Sequence, residues 1–128
     1  MNITNNTPHV INIIDSSNTM FDNSIRKWVV TSDEVTPTTV IESAGVLNAR
    51  IETVMDCELE GGIPLFGKQI TGCDPLPDDG NYHIVSALYA SAARAAGYDM
   101  DRILLVADPV MSQDGKTFKG CRGLAKPF

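Results

Sequence analysis

The sequence predicts an α+β domain, an antiparallel β-sheet of about six strands with one main helix, over about 86–97, packed on it. Three observations predict it. From Ala49 to Leu59 apolar and polar residues alternate with period two, the pattern of a strand with one buried and one wet face. An Ala-rich segment lies between Ser86, a good N-cap, and Gly97, a good C-terminal stop. Most of the remainder is short Val/Ile-rich runs separated by Gly, Pro, Asn and Asp, which is strand-and-turn composition.

The elements follow in order. Thr7-Pro8 is expected to open the ordered part, and His9 to Ile14 reads as the first strand. Asp15-Ser16-Ser17-Asn18 is a turn cluster. Residues 19–38 read as a long excursion with room for an edge strand around Trp28, Val29 and Val30, closed by Pro37. The long strand 49–59 sets Ala49, Ile51, Thr53, Met55, Cys57 and Leu59 on one face and Arg50, Glu52, Val54, Asp56 and Glu58 on the other. Glu60 to Pro64 is a turn, Leu65 to Thr71 returns as a hairpin partner, and Gly67 marks a bulge. Gly72 to Gly80 is loop, and Asn81 to Val85 a short strand before the helix. The small side chains of that helix allow close approach to the sheet or to a second subunit. Ile103 to Ala107 is continuously apolar, as suits a strand covered on both faces, and Asp108-Pro109 is expected to end it. Asp114-Gly115 is a hairpin turn, and Thr117 to Arg122 the last strand.

The 128 residues are expected to form a single domain, 1–128. An apolar fraction of 43% with 20% charged residues excludes wholesale disorder. No run of eighteen apolar residues is present to span a membrane, and residues 1–8 lack the basic and apolar stretches of a signal peptide. Ten basic against sixteen acidic residues leave a net charge of −6, which argues against nucleic acid and anionic lipid as nonspecific partners. Four Phe, three Tyr and one Trp are few for a single-strand stacking platform. Cys57, Cys73 and Cys121 are odd in number and widely spaced, which points to a reducing, cytoplasmic compartment. They read as small buried hydrophobes and supply no zinc site.

Little in the chain suits catalysis. His9 and His83 read as structural, and Glu52, Asp56, Glu58 and Glu60 as a solvated face. There is no nucleophile elbow, phosphate loop or H-E-x-x-H. No catalytic residue, metal or cofactor is therefore expected. Arg122 is the most informative residue. In a regular strand it shares a face with Phe118 and Leu124, where a charge is costly unless paired, while Gly120 and Gly123 clear space beside it. Its planar fork can hold phosphate or stack on a base; otherwise it pairs with an acidic neighbour, or a Gly-induced bulge turns it out. Arg50 lies on the wet face beside Glu52, where same-face pairing explains it and a ligand could reach it. Ser86 and the N–H groups after it form either an anion site or a plain cap. Tyr82, Tyr89 and Tyr98 can stack on a base or fill core.

Asn6-Thr7-Pro8-His9-Val10-Ile11-Asn12-Ile13 resembles the opening of a set of small phage-encoded proteins that begin Asn-Leu-Thr-Pro-His and run into a Val/Ile strand. Further matches come in the same order: Ala49-Arg50-Ile51, Gly62-Ile63-Pro64, Tyr82-His83-Ile84-Val85-Ser86 with its Ala-rich helix, and Arg122-Gly123-Leu124. Some of this group look similar to the Thoeris anti-defence sponges of phages. The resemblance implies a non-catalytic protein of the infected cell's cytoplasm that sequesters a cyclic ADP-ribose type signal, silencing the host effector. It also implies a homo-oligomer with the ligand near a subunit interface. On matching positions the ligand contacts would be Arg50 and Arg122, with Tyr98 and Asp108 for base stacking and ribose contact. The chain departs from the pattern at Asn6, where Leu is usual, and in its long 19–38 excursion.

Two other function classes stand beside this one. The acidic residues Glu52, Asp56, Glu58 and Glu60 suit an interaction module that inhibits a host enzyme. His83 or His9 could serve a cyclic-nucleotide hydrolase.

Overall fold

In the computed structural model, which describes residues 2–127, the Asn- and Thr-rich start of the chain is already a strand. β1 (Ile3–Asn5) runs parallel to β8 (Tyr82–Ile84), with Ile3 opposite Tyr82. Order therefore begins before Thr7-Pro8, and the side chains that hold this start are polar. Buried Asn5 donates through Nδ2 to the carbonyls of His9 at 2.7 Å and Ile41 at 3.0 Å. Polar composition hid the strand, because its partners are distant backbone groups rather than an apolar layer.

The remaining strands are β2 (Ile11–Ile13), β3 (Thr19–Asp22), β4 (Lys27–Val30), β5 (Thr39–Ile41), β6 (Ala49–Leu59), β7 (Ile63–Cys73), β9 (Ile103–Met111) and β10 (Phe118–Ala125). Eight of the ten form one sheet in the order β1-β8-β9-β10-β2-β5, with β4 beside β9 and β3 beside β4. The sheet is mixed, which corrects the antiparallel expectation: β1–β8, β8–β9, β4–β9 and β2–β10 are parallel. For β8–β9 the reason is the helix. α1 (Ala87–Ala95) connects β8 to β9, and a helical crossover between neighbouring strands makes them parallel.

β9 organises the sheet. Along one edge it takes β8 at Ile103 and Leu104 and then β4 at Val110 and Met111, while β10 runs antiparallel along the other. The strand continues through Asp108-Pro109, where it was expected to end. Pro109 lies opposite Cys121, and Asp108 turns to φ 52° to let the chain go on. The 19–38 excursion is likewise part of the sheet. It is the β3–β4 hairpin, and Val29 and Val30 are buried.

The core has three clusters. Ile11, Ile84 and Cys121 form one, and Ile14, Val30 and Val110 another. The third seats the helix, with Tyr89, Ala90 and Ala93 against Val85 and Ile103. The small side chains of α1 do allow its backbone close to the sheet. Its ends match the sequence signals: Ser86 Oγ accepts from the Tyr89 N–H at 3.1 Å, and Gly97 sits at φ 81°.

β6 and β7 stand apart as a two-stranded arm, each eleven residues long. The strands and their turn were legible, but the expected buried face is not: from Arg50 to Thr71 the arm is exposed on both sides. Period two reports an apolar stripe and not what covers it. Gly67 is not a bulge either. It pairs with Val54, and the register shifts fall at Arg50/Ile51 and Met55/Cys57. Cys57, on the arm, is exposed, so only Cys121 is the fully buried hydrophobe that all three cysteines were taken to be.

Candidate functional site

Parallel strands bring their carboxyl ends to one edge, and here that edge opens into a cleft. After β1 the chain enters the Thr7–His9 loop, and after β8 it passes through Val85 and Ser86 into α1. Between these segments and β10 lies a cleft of about 570 Å³. Its polar lining comes from Thr7, His9, Asn12, Ser86 and Lys119, and its apolar walls include Val10, Leu105, Val106 and Phe118. Four of the N–H groups at a helix start lack helical acceptors. In α1 the Tyr89 N–H is taken by Ser86 Oγ, so those of Ala87 and Leu88 remain for another acceptor. Lys119 has no ion-pair partner among the described residues. It sits at the register shift in β10 between Phe118 and Gly120. The cleft thus joins a free cation and a helix N-terminus to an apolar wall.

The residues singled out in sequence occupy three places. Ser86 lines the cleft. Arg122, one residue beyond Cys121, turns to the other side of β10, as alternate residues of a strand do. There its guanidinium lies 3.7 Å over the Trp28 ring, donates from Nε to Thr19 Oγ1 at 3.2 Å and pairs with Asp108 at 3.1 Å. Trp28, Phe21, Arg26, Lys27 and Asp108 line a shallower hollow of about 420 Å³ on that side. Arg122 and Asp108 were each named as ligand contacts; in the structure they form an ion pair with each other. Arg50 and Tyr98 belong to a third place, the root of the arm. Arg50 donates to the Cys73 carbonyl at 3.2 Å and pairs with Asp74 at 3.5 Å, not with Glu52. Gly72 leaves room for that guanidinium, since a Cβ there would meet Nη2 at 2.7 Å. Burial, reinforced by Cys73, raises the Tyr98 phenol above its ordinary value.

The histidines separate. His83 is buried with both ring nitrogens engaged, Nδ1 with Asn6 Oδ1 at 2.6 Å and Nε2 with Asp79 Oδ1 at 3.0 Å. That hydrogen bond holds the Asp79 carboxyl below the usual carboxylate range. His9 is exposed and lines the cleft. Among the described residues no group of three His, Cys, Asp or Glu could hold a metal ion. Among the described residues no helix is long and apolar enough to cross a membrane.

Sequence reasoning missed Lys119, Thr7 and His9 as lining residues. Thr7 and His9 were in view, in the Thr-Pro-His motif, but their meeting with β10 depends on parallel pairings that no local pattern encodes. No protein-family model, curated protein or solved structure matches the chain.

Proposed function

We propose that the protein is a non-catalytic binder that holds a small anionic nucleotide of cyclic ADP-ribose type in the cleft. In the cytoplasm of an infected bacterial cell it would withdraw that signal from its effector. The observation that carries this is the cleft itself. At about 570 Å³ it falls within the range of roughly 300–1,000 Å³ typical of small-molecule sites, which are apolar with a few placed polar groups. The α1 N-terminus and Lys119 offer a phosphate N–H donors and a cation. Phe118, 58% exposed, offers a base a ring face. Charge-assisted hydrogen bonds contribute about 1.5–3 kcal/mol each. Two of them with a stacked base supply a large share of the ~12 kcal/mol of a nanomolar complex. The net charge of −6 opposes such a ligand at long range, but screening confines that opposition to about 8 Å at physiological salt.

One observation favours a second location for the same ligand class. Trp28 and Phe21 with Arg26 and Lys27 join aromatic and cationic groups in the shallower hollow, and Arg122 holds two of its lining residues, stacking on Trp28 and pairing with Asp108.

The test is a trap-and-release assay with cyclic ADP-ribose isomers and cyclic di- and trinucleotides. A binder depletes one ligand from solution and returns it intact after heat denaturation. Altered products would mean turnover and bring His9 forward, and no depletion of any ligand would remove the proposal. The variants locate the site. Lys119→Glu should weaken binding at least tenfold if the cleft is used, with Arg122→Ala leaving affinity unchanged; the reverse result assigns the ligand to the Trp28 side.

A further inference from the structure

We infer that the β6–β7 arm is a self-association surface, on which the arms of two copies pack about a two-fold axis. A two-stranded ribbon alone is marginally stable in water and needs a further strand or layer against it. This one has eleven residues per strand, about 36 Å of extended chain, and nothing of the described residues covers it beyond its root. It is also apolar where it is bare. The cross-strand pairs Ile51–Ile70 and Met55–Phe66 share one face and keep between 39% and 53% of each residue in solvent, while Leu59–Ile63, beyond the register shift at Met55/Cys57, lies on the other. Four such side chains, each roughly half exposed and near 200 Å² in full, present on the order of 400 Å². That is about half of the ~800 Å² that one partner brings to a standard interface.

The charges name the occupant. Arg50, paired with Asp74 at the root, and Lys68, opposite Thr53, lie toward the body with Glu52 between them, while Asp56, Glu58 and Glu60 lie in the outer half without a cation. Crossing two arms antiparallel sets the acidic end of each beside Lys68 of the other. A two-fold interface requires this self-complementarity, because each patch must match itself inverted. Edge protection is uneven as well. β6 carries Arg50, Glu52, Asp56 and Glu58, but Lys68 is the one charge in β7. An edge so lightly charged invites pairing with another strand.

The experiment is sedimentation velocity on the full chain from micromolar to hundreds of micromolar, with far-UV circular dichroism as the fold control. The expected result is a dimer, or a higher even oligomer, that Met55→Asp/Phe66→Asp weakens more than tenfold. Should that variant misfold, replacement of residues 52–69 by Asn-Gly gives a shortened arm on the same body, which should be monomeric. Lys68→Glu should weaken association, and Glu58→Lys added to it should restore part of the loss. A wild-type chain monomeric at the highest concentration would overturn the inference and turn attention to a basic foreign partner for the acidic arm. A dimer unchanged in both arm variants would overturn it in favour of another face.

Discussion

Asp108 is the residue where local preference and structure disagree most. A non-glycine residue at φ 52° is uncommon, and a residue before proline is normally pushed to extended backbone. What holds it is Arg122, which grips the carboxylate at 3.1 Å while its other contacts go to Trp28 and Thr19. The pair is partly exposed, so solvent screens it. Arg122→Ala is therefore expected to lower stability by about 1–2 kcal/mol, from lost stacking and a lost charged hydrogen bond. Arg122→Lys should recover less than half, since an ammonium keeps the charge and loses the planar fork. Urea denaturation of the two variants checks both values. A cost near zero for alanine would mean that Asp108 is held by its strand neighbours alone. The sequence marked Arg122 as needing a partner, and one of its two stated alternatives, an acidic neighbour, is the contact present. Asp108-Pro109 was read as a strand end, and its continuation could not be seen without the opposing strand.

At the scale of elements, α1 was the most legible because both its ends carry local chemistry. Ser86 caps it, Gly97 stops it, and the alanines between them fit its close seat on the sheet. The cap also borders the cleft, so stability and binding can be separated there. Ser86→Ala should cost about 1 kcal/mol, whereas Ser86→Asp should retain the cap. The added carboxylate would nonetheless repel an anionic ligand at the helix start, so thermal unfolding should stay near wild type while nucleotide depletion falls at least tenfold. Equal depletion by Ser86→Asp and wild type would place the ligand elsewhere. The arm shows the limit of periodicity. Its alternation over Ala49–Leu59 was correct as strand, yet alternation is blind to whether a second layer exists. β1 was missed for the opposite reason, since its fit to β8 rests on backbone pairing and on buried Asn5 rather than on an apolar face.

Over the whole molecule, the class was legible and the strand directions were not. One helix with short Val/Ile runs gave α+β, but direction depends on which distant segments meet. The same gap hid the cleft, whose walls come from residues 7–12, 85–87, 105–106 and 118–121. Global stability should show a distinctive alkaline limb. Burial, with Cys73, Tyr98 and Asp74 adding to it, pushes the Tyr89 phenol up to about 12, and its hydroxyl donates to the Asp74 carbonyl at 2.8 Å. A raised folded value favours the neutral phenol, so its contribution is complete below the unfolded value of about 10 and is lost as pH rises through the folded one. Melting temperature should therefore fall between about pH 10 and 12. Tyr89→Phe should lose about 1 kcal/mol at neutral pH and flatten that limb; an unchanged limb would assign it to other groups. The way β9 gathers its neighbours carries a consequence for synthesis on the ribosome. Ile3 waits for Tyr82, Trp28 for Val110 and Ile13 for Cys121. While the first hundred residues emerge, only the β3–β4 hairpin, the β2–β5 and β1–β8 pairs, the arm and α1 can form, and the strand that joins them is still to come. The nascent chain carries unpaired strand edges through most of its translation, and the fold closes as one late event when β9 and β10 are released.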